Sequence, residues 1–210
     1  MIIKINEMNE KEKMEAIKKI QKMILEGKVV ICGTDTLYGI CVNALDENAV
    51  KKVYKIKKRD FGKYISISLK DKEEIEKYAY VNDVARKIID KFMPGPITII
   101  LKKKDVIPDI VAKDYIGIRV PDNDVVRELA IVPLTSTSAN ISGEKSPTSV
   151  DEISEEIKKN VDVIVDTGKC KYSKPSTIIK ICESGKIELV REGAIPFKEI
   201  VKYCQILSNE

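Results

Sequence analysis

Apolar positions fall into two rhythms along the chain. Between residues 10 and 25, Met14, Ile17, Ile20, Ile24 and Leu25 recur at helical spacing and predict a helix, which Gly27 ends. Residues 2–5 before it predict a strand. Residues 29–32 after it form an apolar run bounded by turn signals, the pattern of a buried strand. Residues 47–59 predict a helix with Val50, Val53 and Ile56 facing inward. Residues 64–69 predict a strand, and residues 70–79 a charged surface helix. The next helix begins near Asn82 or Asp83, either of which can cap it, and Pro94-Gly95-Pro96 stops it. Strands follow at 97–103 and 115–121, then a helix at 123–130 and, over 132–140, a strand stretch with few charges that ends in a turn-prone segment. A helix at 149–159, strands at 161–168, 176–183 and 186–191, and a last helix from Phe197 to about Leu207 complete the pattern.

Helical and extended segments are interspersed with short connections, and the last third holds three strands almost in succession. This points to an α/β domain with a mixed sheet rather than a purely parallel one. The chain's 210 residues suffice for one substantial core, so a single domain is expected.

Composition narrows the chemistry. There is no histidine, which excludes a Ser-His-Asp triad, a histidine general base and a histidine metal ligand. The five cysteines, at 32, 41, 170, 182 and 204, have the spacing of neither a disulfide framework nor a zinc knuckle; they read as buried thiols in a reducing compartment. The first residues, MIIKINEMNEKEKMEAIKKI, lack the apolar centre of a secretory signal, and no apolar run reaches membrane-spanning length. A cytoplasmic protein without membrane contact is the expectation. A net charge of +4 permits an anionic partner without demanding one.

Polar residues gather at strand ends, where α/β proteins build sites. The run Gly33-Thr34-Asp35-Thr36 follows a buried strand and reads either as a capped turn or as hydroxyls for a ligand. Residues 133–149 crowd hydroxyls around Gly143, which suits a serine-rich surface loop or a phosphate cradle without the spacing of a Walker loop. Arg119 and Arg191 interrupt apolar strands, each as a salt-bridge partner or a clamp for carboxylate or phosphate. The stretch KIKKRDFGKY, residues 55–64, opposes five cations with Asp60 alone. Asp35 and Asp166 stand at two further strand ends. Together these residues suit a pocket for a phosphorylated small molecule. A lysine-rich groove for RNA, supplied by Lys102, Lys103, Lys104, Lys171 and Lys174, stays open. Trp is absent and Phe occurs three times, which disfavours a stacking platform for single strands.

Read in order, the motifs TDTLYG (34–39), Lys57-Lys58-Arg59, Pro94-Gly95-Pro96 with Thr98, GIRVP (117–121), Ser138-Ala139-Asn140, SGEKSP (142–147), Ser176-Thr177-Ile178 and Arg191-Glu192-Gly193 resemble the YrdC/Sua5 family, the threonylcarbamoyl-AMP synthases. They span residues 29–195. The resemblance implies a YrdC/RibB-like fold, a twisted open mixed sheet flanked by helices with a large basic cavity. It implies the short form, one domain over 1–210 without the extra C-terminal domain of Sua5. The implied activity is nucleotidyl transfer: L-threonine, bicarbonate and ATP give threonylcarbamoyl-AMP and pyrophosphate. The product would pass to a tRNA threonylcarbamoyl-transfer complex, which modifies adenosine 37 of tRNAs reading ANN codons. Direct contact with tRNA or double-stranded RNA is possible but not required.

Carried residue by residue, the resemblance gives Lys57 and Arg59 catalytic roles. It gives Thr36, Arg119, Ser176 and Ser68 to L-threonine, and Arg59, Lys63, Ser138, Asn140, Ser146 and Arg191 to ATP. Mg²⁺ would arrive with ATP, held mainly by phosphates, with no protein metal site. The chain departs from the family pattern at Gly33, Asp60 and Tyr64, where proline is usual, at Ser68, where histidine is frequent, and at Lys174-Pro175, where many members have glutamate. A YciO-type paralogue, binding nucleotide or RNA without efficient synthesis, is the alternative within the same fold.

Overall fold

The structure, a computed structural model, describes residues 1–206. Ten strands form one mixed sheet: β1 (Ile2–Lys4), β2 (Val30–Gly33), β3 (Tyr38–Cys41), β4 (Ser66–Ser68), β5 (Ile97–Lys102), β6 (Tyr115–Arg119), β7 (Leu134–Ser138), β8 (Val163–Asp166), β9 (Thr177–Ile181) and β10 (Ile187–Arg191). Their spatial order is β1-β8-β2-β3-β7-β4-β6-β5-β9-β10. The pairs β1/β8, β2/β8, β4/β6 and β5/β9 are parallel, and the remaining neighbours antiparallel. The mixed sheet expected from the sequence is present.

Among the described residues seven α-helices flank it: α1 (Glu10–Leu25), α2 (Glu47–Ile56), α3 (Ile75–Tyr78), α4 (Asp83–Phe92), α5 (Asp124–Leu129), α6 (Glu155–Lys159) and α7 (Phe197–Ile206). The start of α1 is a reciprocal cap: Glu12 N donates to Asn9 Oδ1 and Asn9 N to Glu12 Oε2, both at 3.0 Å. Asn82 rather than Asp83 caps α4, accepting from Ala85 N at 2.9 Å. Expected elements differ in three places. The charged segment 70–79 breaks into a 3-10 turn and the short α3, and 149–159 into a 3-10 turn and α6, which Ser154 caps. The helix expected to reach residue 59 ends at Ile56, and Lys58 beyond it takes a left-handed φ of 47°. Strand β3 has no counterpart in the sequence pattern, because all four of its residues are buried and show no alternation. The expected end of the last helix at Leu207 lies outside the described residues.

Strand alternation sorts the core into two clusters. Val30, Cys32, Val163 and Val165 face α1 and α5, packing on Ile17, Ile20, Ile24 and Leu129. Their neighbours Ile31 and Ile164 point the other way, into the main cluster with Val53, Ile88 and Ile200. Toward the β10 end this two-sided pattern stops. Ile67, Ile118, Ile99 and Ile179 still enter the main core, while Ser66, Ser68, Gly117, Arg119, Thr98 and Ile178 turn to the opposite face and line a cavity. The sheet is thus covered on both faces at one end and open to a ligand on one face at the other.

Candidate active site

The first wall of the cavity is the β2–β3 hairpin. Gly33 pairs with Tyr38, leaving a four-residue loop of Thr34, Asp35, Thr36 and Leu37. Thr34 Oγ1 organises this loop, accepting from the amides of Thr36 and Leu37 at 3.1 Å each and donating to Leu37 O at 2.8 Å. Gly33 stands where the family pattern has proline. A Cβ there would come 2.1 Å from Thr167 Oγ1 and 2.8 Å from the Tyr38 ring. That ring cannot yield cheaply: its hydroxyl lies 2.7 Å from Gly168 O and 3.0 Å from Asp166 Oδ1. Asp166, a candidate from its strand-end position, is therefore occupied in holding Tyr38 and the Gly168 amide, and does not line the cavity.

The loop reaches across to the end of β6. Arg119 is buried and donates to Asp35 Oδ1, to Thr36 Oγ1 at 2.6 Å and to Gly95 O at 3.2 Å. Burial lowers the Arg119 pKa from its ordinary value, and the Asp35 carboxylate works against that shift. Asp35 Oδ2 is buried without a hydrogen-bond partner. Arg119 is thus both the salt-bridge partner and the cavity-lining cation that the sequence left as alternatives. Ser68 stands beside it in register on the neighbouring strand β4 and also lines the cavity.

The second wall joins the end of α2 to the loop after β7. Lys57 is 2% exposed, and its ammonium donates to Ser138 O and to Asn140 O, the latter at 2.7 Å. Its own carbonyl accepts from Ser142 N at 3.0 Å. Burial, then the Arg59 charge, lower its pKa to about 8. Lys57 does not line the cavity; it fixes the Ser138–Asn140 turn from behind. Asn140 is likewise behind the wall, donating to Ile141 O and Glu144 O at 2.8 Å each and accepting from the Ser138 hydroxyl. Ser138, Ser146 and Arg59 do reach the cavity. Arg59 also donates to Lys63 O at 2.8 Å and Tyr64 O at 2.9 Å, which closes the lip of the pocket. The Lys63 side chain is exposed and faces Asp60 at 3.5 Å; the structure does not bring it to the cavity wall.

The third wall is built by β9 and β10. Ser176 Oγ lies 2.8 Å from Thr98 Oγ1, and Arg191 Nη2 donates to Ser176 O at 2.9 Å. Gly193 makes this possible. A Cβ there would come 2.2 Å from Pro175 O and 2.5 Å from the Ser176 carbonyl carbon, so only glycine lets the end of β10 lie against residues 175 and 176. Burial, then the Arg119 charge, lower the Arg191 pKa. Among the described residues neither Arg59 nor Arg191 forms an ion pair.

The walls enclose about 580 Å³. Arg59, Arg119, Lys180 and Arg191 line this volume, and no carboxylate side chain does, so its field attracts anions. Of the residues singled out in the sequence, Thr36, Ser68, Arg59, Arg119, Ser138, Ser146, Ser176 and Arg191 meet here, while Lys57 and Asn140 stand directly behind and Lys63 apart. Sequence reasoning placed Thr98 and Gly117 in motifs without a site role, and it missed Tyr115 and Lys180, whose ammonium sits 4.1 Å from the Tyr115 ring centroid. Strand register alone could have suggested Tyr115 and Gly117, four and two positions before Arg119 on one face. Four of the five lysines proposed for RNA are engaged locally. Lys102 pairs with Glu183 at 2.8 Å, Lys103 with Asp109 at 2.9 Å and Lys171 with Asp122 at 2.8 Å, while Lys104 lies over Tyr80.

The family model described as telomere recombination, which groups Sua5, YciO and YrdC proteins, matches residues 22–193. The chain belongs to the Sua5/YciO/YrdC family. A protein of Methanocaldococcus jannaschii described as a putative threonylcarbamoyl-AMP synthase is 66% identical over 201 residues, covering 96% of this chain and 97% of that relative. Pyrococcus abyssi Sua5 complexed with L-threonine has a TM-score of 0.90 at 33% identity, over 97% of this chain and 60% of the P. abyssi chain. Escherichia coli YciO has a TM-score of 0.79 at 27% identity, over 89% of this chain and 93% of that one.

Proposed function

We propose that this chain is a threonylcarbamoyl-AMP synthase, joining L-threonine, bicarbonate and ATP with release of pyrophosphate. The observation that carries the reading is the convergence of Arg59, Arg119 and Arg191 with the hydroxyls of Thr36, Ser138, Ser146 and Ser176 on one cavity without carboxylate side chains. Such walls suit an amino-acid carboxylate and a polyphosphate. The likeness to the M. jannaschii protein supports the same reading.

The chemistry needs alignment more than a strong base. The amine of threonine forms a bond to the bicarbonate carbon, and hydroxide leaves with an amine proton as water. A carbamate oxygen then attacks the α-phosphorus of ATP, and the bond to the β-phosphate breaks. Arg119 retains N–H groups beyond those given to Asp35, Thr36 and Gly95, and these hold the threonine carboxylate. Arg59 and Arg191 balance charge on the phosphates and the departing pyrophosphate. Ser138 and Ser146 hold the nucleotide. Lys57 and Asn140 act by fixing the turn that presents Ser138. Mg²⁺ enters as part of the nucleotide substrate. The product goes to a tRNA threonylcarbamoyl-transfer complex in the cytoplasm, for adenosine 37 of tRNAs reading ANN codons. No described helix is long and apolar enough to cross a membrane.

The YciO-type reading draws on the likeness to E. coli YciO, at lower identity and TM-score than the P. abyssi protein. The two readings separate in one assay. Pyrophosphate release is measured with ATP, Mg²⁺ and bicarbonate, with and without L-threonine, and the adenylate is followed by mass. Threonine-dependent release, lost in Arg59→Ala, supports the synthase. Nucleotide binding without threonine dependence supports the YciO type.

A further inference from the structure

Thr98 belongs to a motif to which the sequence assigned no role. It lies on β5 at the cavity floor and is 3% exposed; Ser176, its partner just before the neighbouring strand β9, is 7% exposed. Their hydroxyl oxygens are 2.8 Å apart. The Thr98 rotamer is set by its surroundings: its methyl faces Gly117, where a Cβ would lie 3.3 Å from Thr98 Cγ2, and its hydroxyl faces Ser176. Arg191 Nη2 lies 3.4 Å from Ser176 Oγ and can only donate.

Counting protons gives the pair a definite character. One hydroxyl proton is used between Thr98 and Ser176, whichever oxygen donates. The other has no protein acceptor among the described residues, and both residues line the cavity. The pair therefore offers a ligand one O–H donor together with hydroxyl lone pairs. A carboxylate or phosphate only accepts, and Arg59, Arg119 and Arg191 already serve such groups. A neutral hydroxyl both donates and accepts, and it matches the pair.

We infer that Thr98, coupled to Ser176, reads the side-chain hydroxyl of the amino-acid substrate and so selects a β-hydroxy amino acid over its apolar isostere. This rests on the synthase reading above. A site built to hydrogen-bond a substrate hydroxyl discriminates strongly against an analogue without it, because its own buried polar groups are then left unpaired. Thr98 would be a specificity-determining residue.

The test compares L-threonine with L-valine, in which a methyl replaces the hydroxyl, as substrates of wild type, Thr98→Val and Thr98→Ser. ATP affinity and melting temperature are measured in parallel. In Thr98→Val the KM for L-threonine should rise about ten-fold, the loss of one hydrogen bond, while the KM for L-valine stays level or falls. Thr98→Ser, which keeps the hydroxyl, should restore the preference for threonine. ATP affinity should not move in either variant. The inference is overturned if Thr98→Val keeps the wild-type preference, or if both amino acids and ATP weaken together, as a structural role would give. Should Thr98→Val not fold, loss of threonine preference in a folded Thr98→Ser would equally overturn it. A wild-type protein that binds ATP but uses neither amino acid sinks the synthase reading itself, a result distinct from these.

Discussion

Lys57 Nζ and Asn140 O are 2.7 Å apart across 83 positions of the chain, with both groups buried. The contact binds the end of α2 to the turn after β7, so one side chain joins two motifs that the sequence keeps far apart. Removing it with Lys57→Met leaves the Asn140 carbonyl without a donor, at a cost of about 1–3 kcal/mol, while Ser138 O keeps the Asn140 amide at 3.0 Å. The same substitution exposes a pH dependence. The lysine pKa falls from 10.5 to about 8 on folding, so between these values the unfolded chain binds more protons than the folded one. The contribution of Lys57 is greatest above the upper value and is lost as pH falls through the lower one. Wild-type stability relative to Lys57→Met should therefore rise by about 3 kcal/mol from pH 8 to pH 10.5, measured by urea unfolding.

Asp35 and Arg119 form a buried pair at the tip of the hairpin. Asp35→Ala strands a guanidinium in the interior and should cost about 3–5 kcal/mol. The double variant Asp35→Ala/Arg119→Met should recover much of that loss in denaturant titrations while remaining inactive. A double variant as unstable as the sum of both singles would show that the two residues act independently.

Gly193→Ala tests how the Arg191 wall is assembled. The added methyl meets the Pro175 carbonyl oxygen at 2.2 Å, and that oxygen belongs to backbone rather than to a movable side chain. A loss of about 1–3 kcal/mol is expected, the scale of overpacking, together with weakened threonine binding by calorimetry. Unchanged threonine affinity would separate Gly193 from the placement of Ser176.

Gly117→Val should spare the fold more than the site. Its side chain enters the cavity floor, where a Cβ already meets Ser66 Oγ at 2.3 Å. Ser66 is a short side chain on the cavity face and can rotate, so the melting temperature should drop by only a few degrees, corresponding to about 1 kcal/mol. Ligand binding should be lost. Retained nucleotide and threonine affinity would mean that neither ligand crosses the middle of the floor.

Much of this is legible in the sequence, for identifiable reasons. The helices α1 and α4 carry apolar stripes and Asn caps, and both signals are local. Strand β3 carries no such signal: its loop Thr34–Leu37 is not a two-residue glycine turn, and both of its faces are buried. In the site, Arg119 and Arg191 stand out because a cation inside an apolar strand needs a reason. Thr98 does not, since threonine in a strand is ordinary, and its partner lies 78 positions away. Lys57 is legible as important, but its direction is not; the sequence puts it beside Arg59, whereas the fold turns one behind the wall and the other into the cavity.

The place of β8 between β1 and β2 has a consequence for how the chain is made. The first two strands cannot complete their pairing until residues 163–166 have left the ribosome, and β5 waits for residues 177–181 in the same way. Synthesis at roughly 5–20 residues per second leaves β1 unpaired, and one edge of β2 and of β5 open, for several seconds. Pairings this distant in sequence also slow folding through the entropy of closing long loops. The nascent chain should therefore engage a holding chaperone until its last third emerges, and the cavity should be among the last features to close.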